Sequence, residues 1–230
     1  MSMKEKLKKY SKLIKGILAL TIFFSTSFIQ RLIIIILGTN IDKLTPKLGV
    51  IISCISSLIV TSLLVILYRK DLIKEFKIFK DNLSENIDVG IKYWLLGLVG
   101  MMVSNLILNV VLNAGQAENE ELVQKMIDTM PYLLLISAGI LAPITEELVF
   151  RKAFKDNIKN KIIFPIVAGL VFGYLHVAGA SSLVQFLYII PYSSLGIAFA
   201  VTYNKTNTVF TSISMHMFHN IALTLLSILA

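Results

Sequence analysis

Seven separate runs of about twenty mostly apolar residues, packed into only 230 positions, leave this chain few ways to fold. At ~20 residues apiece each run can cross roughly 30 Å of hydrocarbon. Within lipid every backbone N–H and C=O must be satisfied inside the protein, which points such runs to helices. Composition agrees. Hydrophobic residues make up 56% of the chain and charged residues 16%, against roughly 25% charged in soluble domains. The expected fold class is all-α, a polytopic membrane bundle of about seven transmembrane helices. They fall at about 14–38, 48–68, 92–114, 131–153, 162–180, 183–203 and 207–229.

The first run is the least regular, because Gln30 and Arg31 interrupt it. Lys4, Lys6, Lys8, Lys9 and Lys12 precede it as in a signal peptide. No small-x-small cleavage site follows, and "LIIIILG" carries the run past the usual apolar length, so it reads as an uncleaved span. Arg31 either snorkels to the outer surface or faces the bundle interior.

The net charge of +8 is distributed by side. Arg69, Lys70, Lys74, Lys77, Lys80 and Lys92 fall in the second connection, Arg151, Lys152, Lys155, Lys159 and Lys161 in the fourth, and Lys205 in the sixth. The intervening connections hold Lys43, Lys47 and Lys125 and the acidic "GQAENEELVQKMIDT". The positive-inside rule then puts the N-terminus in the cytoplasm and the C-terminus outside a bacterial cell membrane. The lysines follow the membrane face, so a nucleic-acid partner is not expected. The lipid bilayer is the expected environment. Cys54 stands alone in mid-span and reads as a packing residue. The segment 69–91, with "LIKEFKIFKDNL", reads either as an interfacial element with its lysines toward headgroups or as a solvated connector. The stretch from Gly115 to Asp128 reads as a short acidic helix capping the outer face.

Polar groups able to do chemistry gather in the second half. A carboxylate at membrane depth costs a few kcal/mol, so it finds a partner, a cavity or a reaction. In "APITEELVFRKAF", Glu147 and Arg151 are four apart and share a helix face, which favours an ion pair. Glu146 lies about 100° round the helix and stays free of that pair. The bland alternative is a charge cluster at a helix end. In "VFGYLHVAG", Phe172 can pack on His176, and Gly173 lets a neighbouring helix come close. In "SISMHMFHN", His216 and Asn220 share a face with His219 on its flank. A hairpin turning near Lys161 sets Glu146 and His176 at one depth, ~20 Å from its tip at 1.5 Å per residue. His216 lies ~16 Å from the same side. A carboxylate, two imidazoles and a carboxamide in one layer can activate water and stabilise an oxyanion, the equipment of amide hydrolysis. There is no HExxH signature, and Ser193 and Ser194 lack a base relay.

Glu146-Glu147-Leu148-Val149-Phe150-Arg151, then Phe172 to His176, then His216 to Asn220, resemble in order the EExxxR, FxxxH and HxxxN motifs of the CPBP family. These are the CAAX-protease and bacteriocin-processing (Abi) intramembrane endopeptidases. The resemblance covers residues 130–229 as the catalytic core of a single membrane domain, with 1–129 as divergent N-terminal spans. It implies cleavage of membrane-associated peptides or lipidated protein tails. Glu146 would activate water with help from His176, and His216 and Asn220 would hold the oxyanion. Glu147, Arg151 and Phe172 would support them. It leaves open a divalent metal such as zinc, for which Glu146, His176 and His216 are the candidate ligands. Lys152 stands where many bacterial members have glycine, and His219 where asparagine is common. His219 can tune the site or add a ligand. The competing reading is a non-enzymatic bacteriocin-immunity or scaffold protein that keeps the fold. A transporter ranks third, because no internal repeat is visible.

Overall fold

Each apolar run becomes helix, and no strand occurs among the described residues, 3–229, of this computed structural model. Met1, Ser2, Ala230 and the side chains of Lys4 and Lys8 lie outside the described residues. The basic N-terminal run is therefore described at Lys6, Lys9 and Lys12.

The first run forms α1 (Met3–Phe24) and α2 (Thr26–Ile36), which meet at a bend of 44°. The break falls at Ser25, ahead of Gln30 and Arg31. The Ser25 and Thr26 hydroxyls donate to the carbonyls of Ile22 and Phe23, at 2.7 and 2.6 Å. Such back-bonding competes with the helical ladder and bends helices. Arg31 is exposed rather than turned into the bundle.

Helix α3 (Pro46–Asp81) starts where the Thr45 hydroxyl accepts the Leu48 N–H and Pro46 occupies the first turn. It then runs 36 residues, ~54 Å at 1.5 Å per residue, well past the hydrocarbon thickness. The expected loop over 69–91 is thus the end of α3, a junction at Asn82 and the start of α4 (Leu83–Leu112). Leu72, Phe76 and Phe79 explain the difference. Their spacing of four and three puts them on one helical face, where Phe76 and Phe79 close on Phe210 at centroid distances of 5.2 and 6.1 Å. The acidic outer segment is a helix as expected, α5 (Glu118–Thr129).

Next come α6 (Pro131–Asn157), α7 (Ile163–Val177), α8 (Ile189–Thr206, preceded by the single turn Leu183–Phe186) and α9 (Val209–Leu229). Five helices are long and apolar enough to cross a bilayer, six if α1 and α2 form one bent span. The fifth run, expected over 162–180, falls short among the described residues. Helix α7 has 15 residues, ~22 Å, because the chain turns at both of its ends earlier than hydropathy alone suggests.

Helices α7 and α8 touch through their backbones. A Cβ on Gly169 would lie 2.6 Å from the amide nitrogen of Ile197, and one on Gly173 would lie 2.8 Å from the Ile189 carbonyl oxygen. Small residues that allow such approach are how helices associate without a hydrophobic drive from water. Around this pair, Val60, Leu64, Tyr68, Phe150, Phe164, Ala168, Phe172, Tyr203 and Val209 form the main core.

At the basic end, Glu75 of α3 ties three helices together. Its carboxylate lies 3.2 Å from Lys152 Nζ of α6, accepts the Tyr203 hydroxyl of α8 at 3.0 Å, and accepts the Val209 N–H that opens α9 at 2.8 Å. Lys152 also pairs with Asp156 at 2.8 Å, and Lys12 of α1 meets Asp156 at 3.0 Å. The lysine that departs from the family pattern thus serves as a buried structural cation.

Candidate active site

Helix α6 carries both glutamates, and its backbone departs from α geometry on either side of Glu146. Ser137–Leu141 and Glu147–Lys152 are π-helical, with the Ala142 N–H donating to Ser137 O and the Ala153 N–H to Leu148 O. Such turns recur at functional sites because each re-aims the residues that follow it. Pro143 deepens the first irregularity. With the Ala142 N–H spent on Ser137, Ala138 O would need a donor from residue 143, and proline has none. Asn220 of α9 fills the gap, its Nδ2 donating to Ala138 O at 2.9 Å. The adjoining Leu141 carbonyl is approached by the Thr61 hydroxyl at 3.4 Å, which also bonds Thr145 Oγ1 at 2.8 Å.

Glu147 and Arg151 are fully buried and form the ion pair expected from their spacing, Nη1 to Oε1 at 3.3 Å. The guanidinium lies over the Phe172 ring, 4.3 Å from its centroid, and donates from Nη2 to Gly196 O at 3.3 Å. Glu147 Oε1 also accepts from His216 Nδ1 at 3.0 Å. That bond places the Nδ1 proton toward Glu147 and turns Nε2 toward Glu146, whose Oε2 is 3.6 Å away. The imidazole is thus held between the two glutamates, with Phe199 stacked on it at 4.7 Å and 21°. Glu146 itself is outside the arginine pair, and its side chain remains 20% exposed where Glu147 is sealed.

His176 packs on Phe172 with centroids 4.5 Å apart. Its Nδ1 lies 2.9 Å from Phe172 O. A carbonyl only accepts, so Nδ1 carries the proton and Nε2 keeps the lone pair. His219 accepts at Nδ1 from the Trp94 indole N–H at 3.4 Å.

These groups share a wall. A cavity of about 680 Å³ is lined by Glu146, Phe172, His176, His216, His219 and Asn220, together with Tyr192, Phe199 and residues of α5. The three sequence segments therefore meet in one space. Glu147 and Arg151 lie behind it. Among the described residues no three His, Cys, Asp or Glu side chains gather as a set of metal ligands, Glu146, His176 and His216 included. The donors present do not fit a metal, and no step is derived through one. Ser193 Oγ is buried against Gly173 without a hydrogen-bond partner, and Ser194 Oγ donates to Gly97 O at 3.2 Å.

Sequence reasoning passed over Tyr192, Trp94 and Phe199. Tyr192 stacks on His176 at 4.5 Å and 26°. The only available signal was that Trp94 is the single tryptophan in an apolar chain, since aromatic residues are ordinary in membrane helices.

Residues 128–222 match the family model described as "Type II CAAX prenyl endopeptidase Rce1-like". This segment contains all five motif positions that line the cavity, Glu146, Phe172, His176, His216 and Asn220. Over residues 128–222 the chain is therefore similar to this endopeptidase family. Two curated relatives extend the likeness beyond that segment. A Mycoplasma capricolum protein whose name carries no function is 30% identical over 157 residues, 63% of this chain and 45% of its own. The Bacillus subtilis protein named "Putative membrane peptidase YdiL" is 24% identical over 174 residues, 74% of this chain and 67% of its own. The chain thus spans under half the length of the first of these relatives. No solved structure matches it.

Proposed function

We propose that this integral membrane protein is an intramembrane endopeptidase that hydrolyses peptide bonds of membrane-associated peptides or protein tails. The observation that carries the reading is the Glu146–His216 approach at 3.6 Å on the wall of a cavity that His176 and Asn220 also line. Glu146 takes a proton from water as the water oxygen attacks the peptide carbonyl. The lone pair on His176 Nε2 orients that water by accepting from its second O–H, and Glu146 afterwards passes the proton it took to the leaving amine as the C–N bond breaks. Charge developing on the carbonyl oxygen is met by His216 and by the second N–H of the Asn220 amide. Glu147 and Arg151 keep His216 in register from behind.

CAAX-type tails are the substrates that the family description supports, and pheromone or bacteriocin precursors enter this reading through the motif resemblance alone. Residues 3–229 act as one membrane domain in this reading. The clustering of lysine and arginine on alternate connections supports a cytoplasmic N-terminus and an outward C-terminus in a bacterial membrane.

The test is cleavage of a membrane-tethered peptide by purified protein in liposomes. Glu146→Gln lowers the rate by about 10²–10⁴-fold, as expected for loss of a general base, and His176→Ala lowers it comparably, with expression retained. Full cleavage by both variants would sink the reading.

A further inference from the structure

A hydrolase whose site lies among membrane helices must deliver one water per bond cleaved, even when its substrate fills the site. The large cavity is poorly suited to that once a peptide is in place. Met101, Ile127, Leu195, Leu223 and Leu226 make up much of its wall, and an apolar chain laid against them expels water.

A second cavity of about 190 Å³ also has His176 in its lining. Its polar lining is Glu118, Asn119, His176, Gln185, Tyr188 and Tyr192, beside Leu122, Leu175 and Val177. Asn119, His176 and Tyr192 line both spaces, so the two adjoin at these residues. Tyr192 stacks on the His176 ring, and its hydroxyl accepts from Asn119 Nδ2 at 3.5 Å. His176 Nδ1 is engaged with Phe172 O, which leaves Nε2 as its free nitrogen.

The polar collar of the smaller cavity is held in place by its own bonds. Ser181 donates from its N–H and its hydroxyl to the Glu118 carboxylate, and the Tyr188 hydroxyl donates to Gly115 O. Gln185 Nε2 donates to the carbonyls of Ala114 and Gln116 at 3.0 and 3.2 Å, while its Oε1 accepts the Glu118 N–H. The result is a cavity of mixed lining with room for several waters and with fixed polar groups among its walls to hold them.

We infer that the smaller cavity is the water entry of the enzyme, supplying the hydrolytic water past Tyr192 to His176 while the larger cavity holds the peptide. This rests on the endopeptidase reading. One water enters, the C–N bond breaks, and the products are a carboxylate and an amine.

The experiment places a removable plug at the mouth. A Cβ at Gly179 meets nothing within 4 Å, so Gly179→Cys is accommodated. Leu122, exposed on α5, gives an independent second site. Each is made in full-length Cys54→Ser protein and treated in detergent, before reconstitution into liposomes, with a bulky thiol reagent. Cleavage of the tethered peptide is compared with the same variant untreated. Ile162→Cys, exposed at the opposite end of α7, serves as the labelled control. The expected result is a fall in kcat of about tenfold or more at both sites with KM unchanged, and no effect at position 162. An unchanged kcat after complete labelling overturns the inference. So does a raised KM at constant kcat, which would make the cavity a peptide subsite. Cleavage by untreated protein together with its loss in Glu146→Gln keeps the endopeptidase reading intact in either case.

Discussion

The Asn220 amide donates to the carbonyl oxygen of Ala138 at 2.9 Å, across the gap between α9 and α6. That carbonyl lacks a helical donor because the π turn diverts the Ala142 N–H and Pro143 carries none. Asparagine is therefore both a cavity residue and the repair of a backbone defect. Asn220→Ala costs about 0.5–1.5 kcal/mol by removing the donor of a half-buried carbonyl. Pro143→Ala restores an N–H at that position and recovers much of the loss. Thermal unfolding of the four proteins of this cycle in detergent checks the coupling, and additive losses would count against it.

Arg151 is irreplaceable for its shape as much as its charge. It spans Glu147, the Phe172 face and Gly196 O at once, which a lysine ammonium cannot do. Arg151→Gln leaves Glu147 without its cation and destabilises by about 3–5 kcal/mol. Arg151→Lys loses most of the activity while still folding. Yield, unfolding temperature and cleavage rate separate the two.

Gly173→Ala forces a Cβ to within 2.8 Å of Ile189 O and 2.9 Å of Ser193 N. Backbone atoms cannot step aside, so α7 shifts and carries His176 with it. A cost of about 1–3 kcal/mol is expected from overpacking, with activity falling further than stability. Removing the side-chain clash by Ser193→Ala does not rescue it. Gly179→Ala, with open space around it, is the neutral comparison in the same assays.

At the basic end, Glu75→Gln keeps an acceptor for the Val209 N–H but removes the charge facing Lys152. The expected loss is about 1–3 kcal/mol, moderated because Asp156 still pairs with Lys152. In the double variant with Lys152→Met the two losses are less than additive. Chemical denaturation in mixed micelles measures the interaction.

The parts readable from sequence were those set by short helical spacings. Four residues between Glu147 and Arg151, or between Phe172 and His176, fix a shared face whatever the tertiary structure. The hairpin depth estimate brought Glu146, His176 and His216 to one level because straight helices rise uniformly. What escaped depends on relations that no local window contains. The π turns of α6 are a register choice made by packing, and Pro143 hints at one only in retrospect. Glu75 meets Lys152 and Val209 across 77 and 134 positions of chain, by arithmetic on their numbers. Sequence alone places Glu75 in the connection 69–91, an interfacial element or a solvated connector, because the lysines there mask the Leu72, Phe76 and Phe79 stripe. Tyr192 looked like any membrane aromatic until its ring was found against an imidazole.

Backbone contact between α7 and α8 at Gly169 and Gly173 has a mechanical corollary. Two rods locked at van der Waals range cannot part or slide without first losing most of what joins them, so the histidine they carry sits on the stationary jaw. Any widening of the large cavity then falls to the opposite jaw, where α5 faces the last turns of α9.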